Sequence, residues 1–198
     1  MSEQPGTAVG AGSAAGVRIR RASVSDLDGI MSLERSVFGH EAWPEQAMRA
    51  DMLSEHCYYL VAELVGTDVL VGCAGLMCPV GSGEGDIQTI AVSPMVRGRG
   101  VGRVLMADLI GEAASRGASR LFLEVRADNP IAIGLYRALG FHEIGTRAGY
   151  YQPDNVDAVT MRLEPVPGGP EVRRVGPVGA EAVQPQTWEE IRKQDGAC

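Results

Sequence analysis

The chain has 198 residues, 45% of them hydrophobic and 22% charged, with a formal net charge of -7. That length supports one domain with a sizeable core, and the balance excludes a wholly disordered, collagen-like or fibrous chain. An acidic chain with no apolar run near the roughly 18 residues needed to cross a bilayer is expected to bind neither nucleic acid directly nor a membrane, and to stay in the cytoplasm.

The first 16 residues carry four Gly and four Ala with no periodicity and read as a flexible leader, residues 1–16. A folded domain is expected over residues 17–163. Val17 to Arg20 alternates like a strand, and Ser25-Asp26 offers a cap to a helix carrying Leu27, Ile30, Met31, Leu33 and Glu34. Pro44 reads as the first residue of a second helix running to about Leu53. Tyr58–Leu64 and Val69–Met77 are neighbouring strands joined by the hairpin signal Gly66-Thr67-Asp68, and Asp86–Val92 is a third. Arg103–Ser115 is helical with Gly117 as its stop, and Leu121–Val125 is a short apolar strand. Asn129-Pro130 opens a helix that ends at Gly140, after which Phe141–Thr146 and Ala158–Leu163 close the sheet. The order β-α-α-β-β-β-α-β-α-β-β is that of an α/β or α+β domain. Residues 164–198, rich in Pro and Gly, read as a disordered tail with a helix-competent piece at 187–194 around Trp188 and Ile191. Cys57, Cys73, Cys78 and Cys198 form no Cys-x-x-Cys pair, and His40, His56 and His142 are scattered, so reduced thiols and no metal centre are expected.

The densest local signal is the strand ending Ile90-Ala91-Val92, the turn Ser93-Pro94-Met95-Val96, and the loop Arg97-Gly98-Arg99-Gly100-Val101-Gly102-Arg103 leading into a helix. A glycine-rich loop at a helix N-terminus presents backbone N–H groups and the positive end of the helix dipole, so a pyrophosphate is its natural occupant, and the arginines add charged donors. It is not a P-loop, lacking Gly-Lys-Ser/Thr. It is not a dinucleotide fingerprint either, because no acidic residue ends a parallel strand about 20 residues on. In a chain with 26 glycines the bare pattern arises readily by chance, so its setting between strand and helix has to decide.

The run IAVSP then RGRGVG resembles the acetyl-CoA pyrophosphate loop of the GCN5-related N-acetyltransferases (GNAT). LFLEVRADN, LYRALGF, Gly145-Thr146-Arg147, Tyr150-Tyr151 and DAVTMRL are similar to the RimI-type ribosomal-protein-alanine N-acetyltransferases. The resemblance spans about Val17 to Leu163. It implies a mostly antiparallel, twisted mixed sheet flanked by helices, with a V-shaped cofactor cleft. It further implies that the backbone of Ile90, Ala91 and Val92 pairs with the pantetheine arm of acetyl-CoA. Gly98, Arg99, Gly100, Val101, Gly102 and Arg103 would hold the pyrophosphate, and Asn129 would touch the cofactor arm. Glu124 would be the general base and Tyr136 the general acid, with Trp43, Tyr150 and Tyr151 facing a peptide acceptor. One departure is Val156-Asp157-Ala158, where the family commonly shows an acidic pair before the last strand's Ala.

By spacing alone Glu124 is also read as a salt bridge to Arg126, Tyr136 as a half-buried aromatic and Asn129 as a helix cap. The resemblance implies acetyl transfer to the N-terminal alanine of the eighteenth small-subunit ribosomal protein, by direct attack in a ternary complex. The alternatives are a GNAT enzyme acting on lysine side chains or a small amine, and an acyl-CoA-binding module without turnover. No residue pattern reports the oligomeric state.

Overall fold

A computed structural model of the chain describes residues 13–14 and 16–170. The expected Trp188 helix and Cys198 lie outside the described residues. The elements are β1 (Ser13–Ala14), β2 (Val17–Arg21), α1 (Leu27–Phe38), α2 (Glu45–Leu53), β3 (Cys57–Leu64), β4 (Leu70–Met77), β5 (Glu84–Val92), α3 (Val101–Ser115), β6 (Arg120–Arg126), α4 (Pro130–Ala138), β7 (His142–Tyr151) and β8 (Val156–Leu163). They form one sheet in the order β1-β2-β3-β4-β5-β6-β8-β7, in which only β5 and β6 run parallel.

Strands β3 and β4 are buried along almost their whole length because helices cover both faces. Alternation sorts their side chains. Tyr58, Leu60 and Ala62 join the cluster built on Leu105, Met106 and Leu109 of α3, while Cys57, Tyr59 and Val61 join Leu27, Ile30, Met31 and Met48 of α1 and α2. Cys73 and Cys78 are fully buried and unbridged, as small apolar side chains. Gly75 is required by packing: a Cβ there would lie 2.5 Å from the ring of Tyr59, its cross-strand partner.

Several boundaries differ from the sequence reading. Helix α1 starts at Leu27 with Asp26 as its N-cap, as Ser25-Asp26 implies, but a short 3-10 turn, Val24–Asp26, precedes it, where Ser23 and Asp26 form a reciprocal capping box. The Asp26 carboxylate accepts from Arg20 at 2.7 and 2.8 Å and from the Ser23 N–H at 2.8 Å. Arg20 is the main cause that holds its pKa down to about 2. Pro44 is the N-cap rather than the first helical residue. Strand β7 continues to Tyr151 instead of ending at Thr146. Ser13–Ala14 adds a short antiparallel rung to β2 inside the expected leader. The folded part also outlasts Leu163: Val166 is 2% exposed, belongs to the α3-side core, and donates its N–H to the Ser119 carbonyl at 3.0 Å.

Candidate active site

The site opens where β5 and β6 part. Their parallel pairing covers only Glu84–Ile87 against Arg120–Leu123. On its other edge β5 carries a bulge: Ile87 pairs with Leu76 and Thr89 with Gly75, so Gln88 is an extra residue that bends the strand. Past the bulge β5 follows β4 to Val92, while β6 follows β8 to Arg126. The result is the V-shaped gap that the resemblance implies, with a strand edge from Gln88 to Val92 that pairs with no other described strand, including the expected Ile90, Ala91 and Val92.

One half of the gap is made of backbone. Ser93 caps the turn Pro94–Val96, whose Val96 is buried and anchors the loop in the core. Gly98 (φ 73°) and Gly100 (φ 82°) then take left-handed conformations that a side chain would strain. Gly100 is the N-cap of α3, and Val101 is buried directly behind it. Among the described residues, no backbone carbonyl accepts from the N–H groups of residues 98–103, as expected of a helix start aimed at an anion. Gly102 lies against Val92, Ile90 and Leu135, so the loop packs closely on β5 and α4. Arg97, Arg99 and Arg103 are exposed and no described carboxylate pairs with them; Arg97 Nε donates to the Val92 carbonyl at 3.1 Å. Asn129 caps α4, its Oδ1 accepting the Ala132 N–H at 3.1 Å. This donor set fits a pyrophosphate-bearing cosubstrate.

The other half is made of side chains. Leu121, Leu123 and Val125 of β6 enter the core, so Glu124 and Arg126 face the opposite side. Glu124 accepts from Arg147 Nη1 at 3.0 Å, not from Arg126 as spacing alone suggested. The pairing is made through the sheet: Thr160 of β8 lies opposite Glu124, and Ala158 opposite Arg147. Arg147 in turn lies 4.5 Å from the Tyr150 ring, and Tyr150 meets Tyr151 edge-on at 5.1 Å. Burial raises the Tyr151 phenol well above its ordinary range, and the nearby charge of Glu124, with lesser influences from Tyr150, Glu41 and Tyr136, raises it further. Three sequence-predicted residues, Glu124, Tyr150 and Tyr151, are therefore brought together through Arg147, while Tyr136 lies in the α3-side core with Leu123 and Val125.

Tyr136 is 4% exposed on α4, its ring 6.1 Å from that of Phe141, and burial raises its phenol strongly, so it stays protonated at neutral pH. Trp43 sits on the α1–α2 connection, packed on the α1/α2 core. Its connection to the site runs through Glu41, two residues earlier, which Arg126 binds.

Several groups were not singled out from sequence. Glu34 is completely buried between α1 and the sheet. Burial raises its pKa against hydrogen bonds from Thr89 (2.5 Å), the Trp43 amide and Cys73. Asp86 lies on β5 at the base of the gap, where burial first, then Glu84 and Glu124, push it up to about 6. Asp157, noted from sequence only as a departure from the resemblance, accepts the Gly149 N–H at 2.8 Å and fixes the chain just before Tyr150. His40, Glu41 and Asp154 present ligand atoms within 4.8 Å of one another, but Arg126 already occupies both carboxylates.

The acetyltransferase (GNAT) family model matches residues 27–141. A Mycobacterium leprae protein named only as uncharacterized is 40% identical over 143 residues, 71% of this chain but 38% of that protein. The N-alpha-acetyltransferase RimI of Mycobacterium tuberculosis is 38% identical over 143 residues, 71% of this chain and 87% of that one. The [ribosomal protein bS18]-alanine N-acetyltransferase of Salmonella typhimurium is 45% identical over 82 residues, 40% of this chain and 55% of that enzyme. Among solved structures, the ribosomal-protein-S18-alanine N-acetyltransferase of Escherichia coli superposes with a TM-score of 0.68 at 28% identity, covering 85% of this chain and 99% of that one.

Proposed function

The chain belongs to the acetyltransferase (GNAT) family of acetyl-CoA-dependent N-acetyltransferases, and from that premise we propose that it acetylates the N-terminal alanine of ribosomal protein bS18. The observation that supports this reading is the run of contacts from Glu124 through Arg147 to Tyr150 and Tyr151 on one side of the β5–β6 gap, together with the glycine loop that opens α3. Acetyl-CoA would lie along the free edge of Ile90, Ala91 and Val92. Its pyrophosphate would rest on residues 98–103 and its arm would pass Asn129.

An N-terminal ammonium has a pKa of about 7.7–8.0, so much of it must lose a proton before the nitrogen can attack the thioester. Glu124 accepts that proton, directly or through water. Its ion pair with Arg147 fixes the carboxylate in place while leaving further lone pairs open. A backbone N–H near Val92 steadies the negative charge that develops on the thioester oxygen. Tyr136, protonated and buried, donates to the departing CoA sulfur. The balance is one ammonium and one thioester in, and one amide, one thiol and one released proton out. Among the described residues no His bonds the Ser93 hydroxyl of the loop, which accepts from the Met95 N–H instead, and this supports direct attack in a ternary complex. Tyr150 and Tyr151 give the acceptor an apolar aromatic wall that suits a small first residue, and the net charge of -7 favours a basic ribosomal-protein tail.

Mass spectrometry tests the acceptor. An Ala-starting peptide copied from the bS18 N-terminus should gain one acetyl group, and a copy with a blocked α-amine and free lysines should gain none. Acetylation of both peptides would replace this reading with a lysine or relaxed acetyltransferase.

A further inference from the structure

Arg126 occupies the end of β6, and its guanidinium reaches three segments far apart in the chain. Nε and Nη2 grip the Asp128 carboxylate in a two-point fork at 3.0 and 2.9 Å, on the loop that leads to Asn129. Nη1 bonds Glu41, in the connection between α1 and α2, and Asp154 at 3.2 Å, in the turn between β7 and β8. The guanidinium also stacks over the Tyr151 ring, 5.3 Å from its centroid. Glu41 is only 15% exposed in its side chain, so the pair is not an ordinary surface contact. His40 lies 4.0 Å from the same Glu41 carboxylate and is the other potential cation beside it.

We infer that Arg126 is a positioning residue that clasps the α1–α2 connection to the β7–β8 turn and holds Tyr151 as the wall of the acceptor mouth. The inference rests on the reading of this face as the acceptor side. A planar five-donor fork is what the arrangement requires: three carboxylates at different angles and one aromatic face are satisfied at once, which a lysine's single ammonium cannot do. Arg126 acts through Tyr151 and the two loops, and it supplies no proton to the reaction. Its removal should leave acetyl-CoA binding intact, since the pyrophosphate loop packs on β5 and α4 instead.

The test compares the wild-type chain with Arg126→Gln, Arg126→Lys and Asp154→Asn. Hydrogen exchange, read with no acceptor present, should speed up in both 39–44 and 152–155 for Arg126→Gln, and only in 152–155 for Asp154→Asn. With the Ala-starting peptide, Arg126→Gln should raise the acceptor KM by about ten-fold or more, with the acetyl-CoA KM and kcat within about two-fold and Arg126→Lys intermediate. Unchanged exchange in the two loops overturns the clasp, as does faster exchange with an unchanged acceptor KM. A wild-type enzyme that ignores the peptide overturns the proposed acceptor, while the exchange measurement still decides whether the clasp exists.

Discussion

The two sides of the β5–β6 gap are built by different means. In the proposed reading the cosubstrate side comes from residues 90–103, joined by Asn129, and works mainly through backbone: two left-handed glycines, an open helix start and a strand edge. The proposed acceptor side is drawn from Glu41, residues 124–128 and residues 147–154, and works through side chains that meet only after the sheet has formed. Backbone machinery tolerates a change of side chain and fails when its conformation is blocked. Side-chain machinery has the opposite weakness.

The largest effect should fall on the side-chain half. Glu124→Gln keeps the shape and removes the proton acceptor, so kcat should drop by about 10²–10⁴ with acetyl-CoA binding little changed. A drop below about ten-fold in steady-state turnover would leave the comparison without its chemical half. On the backbone half, Gly100→Val forces a β-branched residue to φ 82°, a strain of about 1–3 kcal/mol. Calorimetric titration should show acetyl-CoA bound roughly 5- to 150-fold more weakly, and a variant that binds normally would show that the loop does not depend on this conformation.

Asp86 sharpens the contrast through pH. Its native pKa of about 6 stands above its unfolded value of 3.8, so the native state disfavours the ionised form. Below about pH 3.8 the group is protonated in both states and carries no penalty. As pH rises through 6 the penalty grows to its full size, up to about 3 kcal/mol. Asp86→Asn should therefore raise the melting temperature at pH 7–8 and lose that advantage near pH 4; equal melting at both pH values would contradict the raised pKa of this half-buried carboxylate. Smaller still is Val166→Ala, which removes buried methyl groups and should cost about 1–3 kcal/mol in denaturant unfolding.

The same contrast explains what could be read before folding. The glycine loop before α3, the Asn129-Pro130 helix start and the element order were legible because each is written in neighbouring residues, where glycine, proline and cap chemistry act locally. The Glu124–Arg147 pair was not, since it depends on the β6–β8–β7 register, with its irregularity between Arg147 and Tyr151, rather than on any spacing along the chain. Arg126 next door was the nearer candidate in sequence, but it bonds Glu41, 85 residues earlier. Glu34 was visible on the apolar stripe of α1, whereas its acceptance of the Thr89 hydroxyl 55 residues later was not. Val166 was hidden by composition: a Pro/Gly-rich stretch reads as tail even where one valine docks in the core.

The most direct test of the account is the kinetics of Tyr136→Phe with the Ala-starting peptide. If the buried phenol protonates the departing sulfur, kcat falls by about two orders of magnitude or more while the acetyl-CoA KM stays within about two-fold of wild type. Equal losses in turnover and acetyl-CoA binding, or full turnover, would contradict the assignment of the chemistry to this side of the gap.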